Sequence, residues 1–300
     1  MTQEQPASSG PNAPVRVGLV GAGPWAKFFH APMLAGSAEM DLVGVWARRR
    51  EAAEEIAAPH HARSFERFEE MLDHVDALSF AVPPDVQAEM AGTGALVGKA
   101  LLLEKPIALD LGRARELADI VIEAGVPSQM VLTWRYADSV RDFIDVCRQI
   151  VPIGGRGHFL AGGLLGGMFA TPWRIEKGPL YDLGPHVLDL LDAALGPIRE
   201  ISASGDLHRW IGIQLVHESG VTSQASITAY SGVDPARAGV EVYAADGVHE
   251  VDTVGLSAQA ISRIASEFSV TARSRRPHQL DVNRGLRLQQ LITRAARDLD

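Results

Sequence analysis

A glycine-rich turn held between an apolar run and a helical one constrains this chain more than any other feature. Val15 to Val20 reads as a strand buried on both faces and Trp25 to Leu34 as a helix, with Gly21-Ala22-Gly23-Pro24-Trp25-Ala26 between them. From that point short apolar runs alternate with longer amphipathic ones, the pattern of βαβ units built on a parallel sheet. Strands are predicted at Met40–Trp46, Ala77–Val82, Ala100–Glu104 and Ser128–Leu132. Helices are predicted at Arg50–Ala57, Arg67–Leu72, Val86–Leu96 and Leu111–Ala124, the last stopped by Gly125.

After Tyr136 the pattern changes. A helix over Ser139–Ile150 leads into β-rich stretches at Gly157–Leu160, Glu200–Ser204, Trp210–His217, Thr222–Tyr230, Gly239–Ala244 and Val248–Val251. An apolar helix, His186–Leu195, interrupts them, and helices at Ala258–Ala272 and Val282–Asp298 close the chain. Strands in succession predict an antiparallel sheet with helices on one face. The expected fold is α/β: a doubly wound parallel Rossmann sheet, then an α+β domain on a mostly antiparallel open sheet. With 300 residues, two domains are expected, at 15–135 and 136–300, after a flexible tail at 1–14.

The turn matches G-x-G-x-x-[GA] at a strand-to-helix junction. Gly21 permits the tight bend, Gly23 lets a pyrophosphate approach the backbone, and the small Ala26 lets helix pack on strand. The second strand should end on the residue that meets the adenosine ribose, where a carboxylate favours NAD. Here it runs Trp46-Ala47-Arg48-Arg49, with two guanidinium groups and no carboxylate, which favours NADP over NAD. The same arginines would also serve as the solvated start of a helix.

Two further stretches carry chemistry. Glu104-Lys105-Pro106 ends a strand at the carboxyl edge of the sheet, where Lys105 can relay the proton of a hydroxyl. Asp182 and His186 lie four apart around a helix start, a spacing that can put carboxylate and imidazole on one face for acid–base work. Capping and core packing are the plainer roles for those two residues taken singly. No third ligand at a suggestive spacing points to a metal, and His60-His61 are adjacent in a loop.

Composition narrows the field. A net charge of −9 without a basic stripe argues against nucleic acid. No apolar run is long enough for a membrane, and the first residues do not form a secretory signal, so cytoplasmic residence is expected. Cys147, the only cysteine, sits in an apolar helical setting that suits packing rather than catalysis.

Taken together, the G-x-G-x-x-A turn at Gly21–Ala26, the E-K-P at Glu104–Pro106 and the D-x-G-x-H at Asp182–His186 resemble the glucose-fructose oxidoreductase, inositol dehydrogenase and rhizopine catabolism family (Gfo/Idh/MocA). The likeness runs from Val15 to the last helix. It implies that Lys105, Asp182 and His186 form a catalytic set, with His186 or Lys105 relaying the alcohol proton and Asp182 orienting substrate or imidazole. It places cofactor contacts on Gly21, Gly23, Pro24, Trp25, Ala26, Ala47, Arg48, Arg49, Val82, Pro83, Glu104 and Lys105, with Arg135, Trp173 and Arg174 approaching the nicotinamide. It also implies a homo-oligomer, dimer or tetramer, formed through the open sheet. Two departures stand out: Gln87 where many members have His, and Lys177-Gly178-Pro179 in place of a glycine-rich run. The expected function is an NADP- or NAD-dependent interconversion of a secondary alcohol and a ketone on a sugar, polyol or related small molecule. A non-catalytic dinucleotide-binding regulator, and a related enzyme acting on an imine or by elimination, are the alternatives.

Overall fold

The structure is a computed structural model that describes residues 13–299. All but the end of the expected flexible tail at 1–14 therefore lies outside the described residues. The chain divides into two compact units: Met1–Ala108 with Gly112–Val131 and Ile261–Arg284, and Leu109–Leu111 with Leu132–Ala260 and Gly285–Asp300.

The first unit carries a six-stranded sheet in the order β3-β2-β1-β4-β5-β6, every pairing parallel. Its strands are β1 (Val15–Val20), β2 (Met40–Trp46), β3 (Arg63–Phe65), β4 (Ala77–Phe80), β5 (Ala100–Leu103) and β6 (Ser128–Met130). Every residue of β4 and β5 is buried, as expected of strands covered on both faces. Between them run α1 (Ala31–Ala35), α2 (Arg50–Ala57), α3 (Phe68–Leu72), α4 (Pro84–Leu96) and α5 (Leu111–Glu123). A π-helical turn, Ala26–His30, precedes α1 and is closed by the Ala31 N–H on the Ala26 carbonyl. Sequence reasoning missed β3, because three residues starting with an exposed arginine leave no apolar run to detect.

The second unit begins with a 3₁₀ turn, Thr133–Tyr136, and α6 (Asp138–Cys147). Its sheet follows the order β12-β11-β7-β10-β9-β8. The strands are β7 (Pro152–Leu160), β8 (Ile198–Gly205), β9 (Ile211–His217), β10 (Thr222–Thr228), β11 (Arg237–Ala244) and β12 (Gly247–Asp252). Only the β7–β10 pair is parallel. Ile211, Ile213 and Leu215 are buried while Gln214 is exposed, so this sheet has one covered face. Helix α8 (Gly184–Leu195) covers it and is buried on nearly all sides. Helix α7 (Pro172–Asp182), absent from the sequence reading, is broken at Gly178, whose φ of 69° interrupts the helical path. The Gly178-Pro179 pair reads as a loop signal, which hid the helical turns on either side of it.

The chain ends in α9 (Ser257–Ser274) and α10 (Val282–Ala296). Most of α9 belongs to the first unit: Gln129 Nε2 donates to the Ile264 carbonyl at 3.1 Å and Ser269 Oγ to Glu39 at 2.8 Å. No helix of the described residues is long and apolar enough to cross a membrane.

Candidate active site

The glycine turn leaves the sheet at the carboxyl end of β1. The Gly21 N–H donates to the Trp46 carbonyl at 2.8 Å, tying the turn to the end of β2. Gly21 has φ of 122°, and a Cβ there would lie 2.3 Å from the Ala81 carbonyl oxygen. No L side chain fits, so the fold itself requires this glycine. Gly23 differs. A Cβ there would meet nothing within 4 Å, so no neighbour among the described residues explains its small size. Ala26 is fully buried under the turn that follows.

At the end of β2, Arg48 and Arg49 are exposed and no ion pair involves either among the described residues. Arg50, by contrast, is paired with Glu54 at 2.9 Å and with Glu66. Val82 and Pro83 link β4 to α4 beside the turn, with the Val82 side chain 3.0 Å from the position a Gly21 Cβ would take.

Glu104 follows β5 and is the centre of a buried hydrogen-bond network. Its Oε1 accepts from Trp25 Nε1 at 2.7 Å and from His30 Nε2 at 2.9 Å. Because a carboxylate only accepts, His30 Nε2 carries the hydrogen, and Nδ1 meets Ser79 Oγ at 2.8 Å. Glu104 Oε2 accepts from the Lys105 backbone N–H at 3.2 Å. The buried Gln87 carboxamide grips the same segment, accepting from the Glu104 N–H at 2.7 Å and donating to the Glu104 carbonyl at 2.8 Å. Gln87, the departure from the family pattern, thus braces the strand end that carries Lys105. The Lys105–Pro106 peptide is cis. Sequence reasoning did not single out His30 or Ser79. The signal for His30 was one polar residue amid Phe28-Phe29-His30-Ala31, a pattern shared with ordinary core histidines.

In the second unit Asp182 ends α7 and His186 stands in the first turn of α8, both buried. The spacing read as one helix start is a junction between two helices. Arg174 Nε lies 3.0 Å from Asp182 Oδ1, and its guanidinium covers the Trp173 ring at 4.8 Å and faces Phe169 at 5.9 Å. The His186 ring packs 5.0 Å from that of Trp134 and 6.3 Å from that of Phe159. Arg135 Nη1 bridges both carboxylate oxygens of Asp189 at 3.1 Å, one turn beyond His186 on α8. Trp134 and Arg135 therefore hold the His186 turn from adjacent positions. Cys147 is buried, and burial pushes its thiol up to about 11. Among the described residues, no group of three or more His, Cys, Asp or Glu is placed to hold a metal ion.

A parallel sheet in the order 3-2-1-4-5-6, with an obligate glycine in its first strand-to-helix turn, defines the dinucleotide-binding α/β class. Residues 15–131 match the family described as oxidoreductase family, NAD-binding Rossmann fold (GFO_IDH_MocA). The match spans the chain from β1 through β6. It is 27% identical over 189 residues to glucose-6-phosphate 3-dehydrogenase of Bacillus subtilis (strain 168), covering 59% of this chain and 52% of that protein. It is 38% identical over 109 residues to inositol 2-dehydrogenase of Rhizobium meliloti (strain 1021), covering 36% and 32%. The chain thus spans about half the length, or less, of these curated relatives. The fold is also that of GenD2 from gentamicin A biosynthesis, solved in complex with NAD, with a TM-score of 0.86 at 21% identity over 98% of this chain and 96% of that one.

Proposed function

We propose that this protein is a nicotinamide-dependent dehydrogenase or reductase that interconverts a secondary alcohol and a ketone on a sugar, polyol or related small molecule. The observation that carries the reading is Gly23: a glycine with open space in front of it, two residues after one the fold demands. A backbone kept bare for no internal reason suits a pyrophosphate that must approach it closely. A bound nicotinamide dinucleotide would supply the hydride acceptor or donor.

The protein's own groups would hold the cofactor and move the proton. The glycine turn, Ala47 to Arg49 and Val82-Pro83 are the proposed cofactor contacts of the first unit, with Trp173 and Arg174 those of the second. Lys105 or His186 takes the hydroxyl proton during oxidation and returns it during reduction, and Asp182 orients its partner. Arg174, 3.0 Å from Asp182 Oδ1, holds that carboxylate in a fixed orientation for this role. A dinucleotide-sensing regulator has no use for Lys105, Asp182 and His186 together, which favours the enzyme. The names of the relatives support sugars and inositols as the substrate class, and a homo-oligomer is expected.

Lys105→Ala and His186→Ala should each lower turnover on a panel of sugars and polyols by about a hundredfold or more. Full turnover in both variants would refute the catalytic assignment, and a panel wholly inert with wild-type protein would favour imine or elimination chemistry. Arg48 and Arg49, exposed and without an ion pair among the described residues, further favour NADP. Fluorescence titration should show tighter binding of NADPH than NADH, by about tenfold or more, with the gap closing in Arg48→Ala/Arg49→Ala. Equal affinities in the wild type would overturn the preference.

A further inference from the structure

The π-helical turn after the glycine turn has a consequence for Lys105. Trp25 stands at the start of that turn and His30 ends it, five residues apart. In an α-helix, residues so spaced project about 140° apart and could not share one acceptor. A turn closed by an i→i+5 bond takes in an extra residue, which swings His30 back toward the side of Trp25. Both rings then reach the same atom, Glu104 Oε1, at 2.7 and 2.9 Å. Phe29 fills the space between them, stacked on Trp25 at 4.4 Å and edge-on to His30 at 5.4 Å. The other carboxylate oxygen holds the Lys105 backbone N–H at 3.2 Å.

We infer that Trp25 and His30 are positioning residues that fix Lys105 through Glu104, so that the dinucleotide turn and the lysine segment move as one body. This rests on the reading of Lys105 as a proton relay. His30 is fully buried and its second nitrogen is anchored on Ser79 at the end of β4, so the carboxylate cannot rotate without breaking a buried contact. Trp25 supplies the part of the lock that belongs to the phosphate turn itself. Glu104, which the family resemblance counts among cofactor contacts, has its carboxylate committed inside the protein. The wider wind of the π turn is what makes that commitment possible.

The test uses the full chain without cofactor and two variants, Trp25→Phe, which keeps the ring and removes Nε1–H, and Glu104→Gln. Amines are labelled with acetic anhydride and read by peptide mass spectrometry, with Lys99 as internal reference. Lys99 Nζ donates to the Val75 carbonyl at 2.9 Å and takes no part in the network. Labelling of Lys105 relative to Lys99 should change by about threefold to tenfold in both variants, the equivalent of one lost hydrogen bond. Amide exchange should rise over residues 104–107 while the β1 and β4 peptides keep wild-type protection. Wild-type labelling of Lys105 in both variants would overturn the inference. An exchange increase spread evenly over β1, β4 and β5 would also overturn it, because that marks a general loss of packing. If one variant does not fold, the other decides. The catalytic reading falls separately: Lys105→Ala with full turnover would remove the lysine's chemical role and leave the coupling to Glu104 standing.

Discussion

Gly21 and Gly23 lie two residues apart and answer to different constraints. Gly21 is held at φ of 122° against the Ala81 carbonyl, so Gly21→Ala should cost about 2–4 kcal/mol of stability in urea unfolding. Gly23 faces open space, so Gly23→Ala should leave stability within about 0.5 kcal/mol while weakening dinucleotide binding by about tenfold or more. Equal losses of stability in the two variants would contradict the assignment of Gly23 to a ligand. The motif in the sequence marks both positions alike, since a regular pattern records only which residues are glycine. Which of the two serves the fold and which serves a ligand is visible only when neighbours are built around each. The same holds for Arg48 and Arg49. Their number and place are legible in the sequence, but their lack of ion-pair partners among the described residues, beside an Arg50 that has two, is a tertiary fact.

Among the elements, most strands and helices were legible, the short α3, β4, β5 and β6 included, while β3, the π turn and the broken α7 were not. Strands β1 and β2 and helix α2 fall where hydrophobic patterning puts them, because burial of one face imposes its period on the chain. The π turn over Ala26–His30 left no such mark, and its role in bringing Trp25 and His30 to one carboxylate could not be read from spacing. Helix α7 was hidden by the Gly178-Pro179 break, although Arg174 and Asp182 on either side of that break are held together in an ion pair. The end of α8 shows another local dependence. Buried His217 on β9 donates from Nδ1 to the Gly196 carbonyl at 2.6 Å and pairs with Ser223 Oγ at 2.8 Å. Burial holds its imidazole below the ordinary value of 6.5, outweighing the Gly196 carbonyl and Asp192. The unfolded chain therefore binds this proton at a higher pH than the folded one, and stability must fall as pH drops below 6.5. Urea unfolding at pH 7.5 and 5.5 should show a loss of about 1 kcal/mol that is absent in His217→Gln. The same slope in the variant would assign the loss to other groups.

At the scale of the whole molecule, the chain does not divide at a single point. Strand β6 is bonded by the chain's own C-terminal part: the Met130 N–H donates to the Leu280 carbonyl at 2.6 Å, and the Val282 N–H to Ser128 Oγ at 3.0 Å. A fragment ending at residue 135 should therefore unfold at a temperature about 10 °C or more below that of the full chain, or show no cooperative transition by calorimetry. A fragment as stable as the full chain would show these contacts to be dispensable. The sequence by itself determined the class of fold, the glycine turn and the chemical identity of Lys105, Asp182 and His186. Periodicity, turn chemistry and side-chain type are all local and survive in a linear reading. Only the tertiary structure decided the strand order, the return of α9 to the first unit, and the shared hold of Trp25 and His30 on Glu104. Those depend on contacts between residues up to a hundred or more positions apart, and no local pattern in the chain encodes which distant partner a buried polar group will find.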